Sequence, residues 1–155
     1  MSFKDNPQPF LTSLFDAAVS AAQPEVTIGE FLPEKPKGRV ILIGAGKASS
    51  QMARAFEKAW LSRHGGEIEG VIVTRYGYAC KCEHVEVLEA AHPVPDEAGL
   101  AGAKRLMEYA SDLTEDDLVV ALISRGVSAL VPTPPNGMTL ADEIAVNDEL
   151  HATGV

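Results

Sequence analysis

The chain opens on an apolar stripe of helical period. Phe10, Leu11, Leu14, Phe15, Ala18, Val19 and Ala22 recur at spacings of three and four, which predicts an amphipathic helix over 8–23. Its Phe10/Leu14/Phe15 stripe is expected to pack into the core. Pro24 ends this helix, and the stretch from Pro24 to Gly38, with Pro33 and Pro36 inside it, reads as an irregular approach to a first strand. Residues 39–44 then run almost wholly apolar, as a strand covered on both faces does. From Lys47 to Arg63 the helical period returns, with Met52, Ala55, Phe56, Ala59 and Trp60 on one face and His64-Gly65-Gly66 as the stop.

A second buried strand, Gly70-Val71-Ile72-Val73-Thr74, follows, and a third over 84–90 alternates in a way that leaves one face partly wet. Ala91-His92-Pro93-Val94-Pro95-Asp96 makes a rigid turn, because each proline fixes φ and bars a helix. Asp96 is placed to cap a helix over 97–111, whose inner side carries Leu100, Ala103, Leu106, Met107 and Ala110. Asp117 to Ile123 is the most apolar strand, and it runs into a loop of small residues, Ser124 to Leu130. Pro132–Gly137 is a bend, and Thr139 with Asp142 forms a capping-box-like start to a last helix, 139–151.

Strands alternating with helices imply right-handed crossovers and a mainly parallel sheet. The predicted fold is α/β: a three-layer, Rossmann-like, mainly parallel sheet flanked by helices, in one domain spanning residues 1–155. Ligands of such sheets bind beyond the C-terminal ends of the strands. The glycine turn after Ile43, Arg75, the His92-Pro93 turn and the loop after Ile123 all fall at that edge, although the strand order is not readable from the sequence.

The chemistry is concentrated in Gly44-Ala45-Gly46-Lys47. A buried strand that turns sharply into a helix presents backbone amides to an anion, and Lys47 adds a cation at that mouth. The spacing is neither nucleotide fingerprint. Ser49 stands where G-x-G-x-x-G has its third glycine, and the longer loop of G-x-x-x-x-G-K-[ST] is missing. A solvated lysine on a tight turn remains the plain alternative.

Charge narrows the ligand. With a formal net charge of −9 and no dense Lys/Arg patch, the chain repels nucleic acid and anionic membrane surfaces. An anionic ligand must therefore be held by a few local cations and amides. No apolar run reaches the length of a membrane span, and Met1 to Asn6 carries no secretory core, so a cytoplasmic location is expected. Cys80 and Cys82 are one residue apart, cannot easily bridge, and with four histidines make a poor zinc set.

Taken together, several segments resemble the N-terminal domain of the glycerate kinase family that also carries a MOFRL domain, whose members are named glycerate 2-kinase or hydroxypyruvate reductase. They are Gly44-Ala45-Gly46-Lys47-Ala48, Val73-Thr74-Arg75-Tyr76-Gly77, Ala91-His92-Pro93-Val94-Pro95-Asp96-Glu97-Ala98-Gly99, Leu113 to Val119, Leu122-Ile123-Ser124 with Gly126 and Ser128-Ala129-Leu130, and Thr139-Leu140-Ala141-Asp142 with Val146-Asn147. The resemblance spans about residues 8–155. It implies ATP-dependent, Mg²⁺-assisted phosphorylation of the 2-hydroxyl of D-glycerate, with Lys47 in the cleft between two domains. A lysine there suits the reaction, since phosphoryl transfer is mostly charge stabilisation and positioning.

On this basis Lys47 and Arg75 are the candidate catalytic residues, and Gly44, Ala45, Gly46, Ser124, Arg125, Gly126 and Ser128 the candidate substrate- and phosphate-binding residues, with no metal ligand assigned. His92 is a further candidate as a proton carrier, although a structural turn histidine is the stronger reading. Arg75 either clamps a carboxylate or pairs with one of the 22 acidic residues on the surface. Ser124 and Ser128 have no recognisable base to activate them, so phosphate contacts suit them better than nucleophilic roles.

Two departures from the family matter. The family loop reads Ile-Ser-Gly-Gly-Gly-Ser-Ala-Leu, and here Arg125 and Val127 replace two glycines. A valine would be strained if the loop kept positive φ there, and Arg125 adds both a cation and bulk. The family also continues beyond this point into the MOFRL domain, which is expected to be absent here, leaving half of an interdomain cleft and little catalysis. The alternatives to an incomplete glycerate kinase are a non-catalytic small-anion-binding or interaction module, and an NAD(P)H-dependent hydroxypyruvate reductase. The last is disfavoured because Thr74 and Arg75 stand where an acidic residue would hold a ribose. An uncovered face is expected to drive homodimer formation, through that face or the last helix.

Overall fold

The apolar runs form four strands, β1 (Val40–Ala45), β2 (Glu69–Arg75), β3 (Glu86–Ala90) and β4 (Leu118–Ile123). A computed structural model describes residues 6–154; Met1 to Asp5 and Val155, part of the predicted single unit over 1–155, lie outside the described residues. The strands pair in parallel in the order β3-β2-β1-β4, with Ala45 opposite both Val73 and Ile123 and Arg75 opposite Ala90. The register brings the C-terminal ends of all four strands to one edge.

Alternating strand residues feed two separate cores, as the two-residue period of a strand requires. Val40, Leu42, Ile72 and Leu122 meet Phe56 and Trp60 of α3 (Ser49–Arg63) on one face. Ala45, Val73 and Ala90 meet Leu130, with Ala98 and Leu106 of α4 (Glu97–Tyr109), on the other. This is the three-layer α/β arrangement that the sequence predicts. Trp60 is fully enclosed and stacks on Phe56 with ring centroids 5.5 Å apart.

The Asp96 cap forms: its side chain accepts the Gly99 N–H at 2.9 Å. So does the capping box, in which Thr139 N–H reaches Asp142 Oδ2 at 2.7 Å and Asp142 N–H returns to Thr139 Oγ1 at 3.2 Å, ahead of the last helix, Leu140–Thr153.

Several expectations are corrected. The first helix, α1 (Gln8–Ala21), buries none of its residues, and Phe10, Leu14 and Phe15 are exposed rather than packed in the core. Periodicity identifies the apolar side of a helix but not whether another element lies against it. Met107, predicted on the inner side of α4, is 69% exposed for the same reason. The stretch after Pro24 is not irregular throughout: Pro24–Thr27 makes one helical turn, α2, and Ile28–Phe31 a 3-10 turn. Proline suits the first position of a helix, so Pro24 ends one helix and starts the next. α3 begins at Ser49 rather than Lys47. Val127 is unstrained, because Val127–Leu130 folds as a helical turn, α5, and only Gly126 takes positive φ.

Cys80 and Cys82 are free and half-buried in the β2–β3 connection, and burial pushes the Cys82 thiol up to about 11. No helix among the described residues is long and apolar enough to cross a membrane. β4 is an edge strand despite its apolar sequence, with Ile123 57% exposed.

Candidate anion-binding site

The chain leaves β1 and turns at Gly46, whose φ is +133° and whose N–H donates to Val73 O at 3.0 Å. A side chain there would strike the Ser124 hydroxyl and lie 2.6 Å from the Ser124 carbonyl oxygen, so only glycine lets the β1 and β4 turns close on each other. Three contacts then stitch them. Lys47 N–H donates to Arg125 O at 3.1 Å, Ala48 N–H to Ser124 Oγ at 2.9 Å, and the Ser49 and Ser124 hydroxyls meet at 3.3 Å. β1 leads through α3 to β2 on one side while β4 lies on the other, so this seam is where the strand order reverses. Crevices at such points are where open α/β sheets bind ligands.

Gly126, with φ +93°, brings the remaining groups together. The point its Cβ would occupy lies 2.7 Å from His92 Nε2 and 3.3 Å from Lys47 Cε. Arg75 ends β2 in register with Ala90, two residues before His92, and its guanidinium carbon sits 3.8 Å from the Tyr78 ring centroid. The sequence-predicted convergence of four segments is therefore present in space. Gly44 and Ala45 are buried inside β1, below the rim, and Ser128 is exposed within α5, with no hydrogen bond among the described residues to Lys47 or His92.

Basic residues elsewhere divide into paired and unpaired: among the described residues Lys35, Lys58, Arg63, Lys81 and Lys104 have no carboxylate within 4.0 Å. Arg39, Arg54 and Arg105 each hold a carboxylate, Asp117 at 3.2 Å, Glu25 at 2.8 Å and Glu86 at 2.9 Å. Among the described residues no carboxylate lies within 4.0 Å of Lys47, Arg75 or Arg125. Arg75 thus makes no surface ion pair and stacks on Tyr78 instead. Burial pushes the His92 imidazole below its ordinary pKa, and the charges of Lys47 and Arg75 push it further down. That combination favours an uncharged imidazole between two cations.

Sequence reasoning missed the groups that steady Arg75. Glu89 Oε1 accepts the N–H groups of Gly77, Tyr78 and Ala79 at 2.6, 3.1 and 3.2 Å, which fixes the turn carrying Tyr78. Tyr76 OH donates to Asp96 Oδ2 at 2.8 Å. Burial opposes ionisation of Asp96, but the Gly99 N–H and the Tyr76 hydroxyl outweigh it and hold the carboxyl below its ordinary range. Glu89 gives no local signal, since it reads as an ordinary polar position on the wet face of a strand.

A separate hollow of about 630 Å³ lies at the opposite, N-terminal ends of the strands, walled in part by Lys35, Arg39, Trp60 and Glu69. Its Arg39 is already committed to Asp117 and Glu69, and Lys35 donates to the His64 carbonyl at 3.0 Å.

Residues 10–155 match the family described as "Domain of unknown function (DUF4147)". A protein of Agrobacterium vitis named "Putative hydroxypyruvate reductase" is 46% identical over 144 residues, covering 93% of this chain and 32% of that protein. A "Glycerate 2-kinase" of Pyrococcus horikoshii is 40% identical over 119 residues, covering 76% of this chain and 26% of that protein. The crystal structure of a glycerate kinase from Thermotoga maritima superposes with a TM-score of 0.81 at 28% identity, covering 97% of this chain and 36% of that one. The chain thus spans about a third of the length of the relatives it matches. With the match running over nearly its whole length, the chain belongs to the DUF4147 family, the N-terminal domain of glycerate kinases of the MOFRL type.

Proposed function

We propose that this chain forms the anion-binding wall of an ATP-dependent glycerate kinase, in which Lys47 and Arg75 hold the carboxylate of D-glycerate or the phosphoryl group in transfer. The observation that carries it is the meeting of Lys47 and His92 over Gly126 at the rim where the strand order reverses, with the charge of Arg75 acting on the same imidazole and no carboxylate within 4.0 Å of Lys47 or Arg75 among the described residues. Lys47 acts as a point charge, and Arg75, braced on Tyr78, offers the fork geometry that suits a carboxylate or phosphate.

A phosphoryl or carboxylate group fits this rim. Magnesium does not find a cage of the chain's own: no group of three or more His, Cys, Asp or Glu among the described residues is placed to hold a metal ion. Mg²⁺ commonly binds through substrate phosphates with one or two carboxylates, and it is assigned no ligand from this chain. The reductase reading draws on the names of relatives alone, since Arg75 ends β2 where a ribose-binding acid would stand.

Calorimetric titration of the protein with D-glycerate and with inorganic phosphate tests the reading. Binding that weakens at least tenfold in Lys47→Met, with an unchanged melting temperature, supports it. Equal binding by Lys47→Met, or none by the parent protein, overturns it. NAD(P)H oxidation with hydroxypyruvate, in the absence of ATP consumption with D-glycerate, would establish the reductase instead. Exposed Ile123 on the β4 edge and the uncovered α1 stripe also support self-association, which a concentration-independent monomer mass in light scattering would refute.

A further inference from the structure

We propose that His92 reads a hydroxyl group: its Nε2 hydrogen-bonds the hydroxyl on the carbon next to the carboxylate of the bound anion, so that this rim selects 2-hydroxy acids over plain acids. The assignment rests on the reading of the rim as an anion site. It makes His92 a specificity residue rather than a third positive charge.

The geometry starts at Gly126. Because that residue has no side chain, the Nε2 edge of His92 and the Lys47 stem both close on the same point, at 2.7 Å and 3.3 Å. The Lys47 ammonium is one bond beyond that stem carbon. A cation and an imidazole nitrogen are thus set side by side at the seam between the β1 and β4 turns. A 2-hydroxy acid carries its carboxylate and its hydroxyl on adjacent carbons, also side by side. The carboxylate belongs with the ammonium, and the hydroxyl is left facing the imidazole.

The chemistry of the two groups divides the work. Burial and the charges of Lys47 and Arg75 disfavour a proton on His92. A neutral imidazole has one donor and one acceptor nitrogen, whereas a hydroxyl both donates and accepts. Such a pair adds no charge to a site already holding two cations, Lys47 and Arg75, but it discriminates strongly, because an analogue without the hydroxyl leaves a partly buried nitrogen unpaired. A purely structural turn histidine would instead treat all small acids alike.

Titration calorimetry with D-glycerate and with 3-hydroxypropionate, which lacks only the 2-hydroxyl, tests this in the parent protein, His92→Gln and His92→Ala. The parent is expected to prefer D-glycerate on the order of tenfold. His92→Ala should lose that preference while binding 3-hydroxypropionate within about twofold of the parent, and His92→Gln should keep part of it, as a hydrogen-bonding replacement would. In ¹⁵N imidazole spectra, the Nε2 resonance that disappears in His92→Gln should move with D-glycerate and stay in place with 3-hydroxypropionate. A parent protein that binds the two acids equally, or a preference that survives in His92→Ala, overturns the hydroxyl assignment and leaves the anion site standing. Failure of both acids to bind removes the anion site itself, and the hydroxyl assignment with it.

Discussion

Ser124 Oγ accepts the backbone N–H of Ala48 at 2.9 Å, although the two residues are 76 positions apart in the chain. Ala48 is the residue from which α3 starts, so the end of β4 caps the mouth of a helix that follows β1. The same oxygen lies 3.3 Å from Ser49 Oγ, and Ser49 is fully buried. A serine that reads as a phosphate contact thus spends its hydroxyl on the frame that presents Lys47.

Removing that hydroxyl leaves an amide at a helix start without its acceptor. Ser124→Ala is expected to cost about 1 kcal/mol, the usual loss for a helix-start cap. Urea unfolding measures it, and an unchanged midpoint with an unchanged slope would show that the bond does not form in solution.

Gly126 and Gly77 form a matched pair for separating backbone strain from contact. Both have positive φ, +93° and +78°, but a Cβ at Gly77 would meet nothing within 4 Å, whereas one at Gly126 would meet His92 and Lys47. Each alanine substitution costs about 1–2 kcal/mol of conformational energy. Gly126→Ala should lose D-glycerate affinity as well, and Gly77→Ala should keep it. Equal affinities in the two variants would place His92 and Lys47 away from the ligand.

Asp117 links stability to acid. Its carboxylate accepts the backbone N–H groups of Arg39 at 2.6 Å and Thr114 at 2.9 Å, and these bonds, with the Arg39 guanidinium, hold it well below the usual carboxylate range. A depressed carboxylate contributes stability that is present above its unfolded pKa of about 3.9 and is lost as pH falls toward the folded value. The unfolding free energy of the parent should therefore decline below roughly pH 4, more steeply than that of Asp117→Asn. Parallel slopes in the two proteins, followed by chemical denaturation across the acid range, would contradict this.

Burial, not residue type, should decide which apolar positions carry stability. Trp60 is completely enclosed, and Trp60→Ala is expected to cost about 3–5 kcal/mol. Phe15 is 68% exposed, and Phe15→Ser should stay within about 0.5 kcal/mol of the parent. A Phe15 variant as damaging as the Trp60 variant would mean that α1 packs against something in solution.

The fold class was legible because each element announces itself locally. Val40–Ile43 and Val71–Val73 are too apolar and too short for anything but covered strands, and Asp96 and Asp142 carry their helix starts in their own sequence neighbourhood. The glycine turn with Lys47 was legible for the same reason. What local pattern cannot supply is the identity of the neighbour. The α1 stripe has the period of a core helix, yet nothing in a period says whether a surface lies against it, and there it is exposed.

By itself, then, the amino-acid sequence determined the strands, the caps and the cation at the first turn, because these depend on residues within a few positions of one another. The tertiary structure alone decided the order β3-β2-β1-β4, the use of Ser124 as a cap for α3, the bracing of Arg75 by Tyr78 and Glu89, and the meeting of His92 with Lys47 over Gly126. Each of these joins segments that lie far apart along the chain or depends on how one turn is packed. Contacts of that kind are set by how the strands line up in the sheet, and no local spacing of residues encodes that.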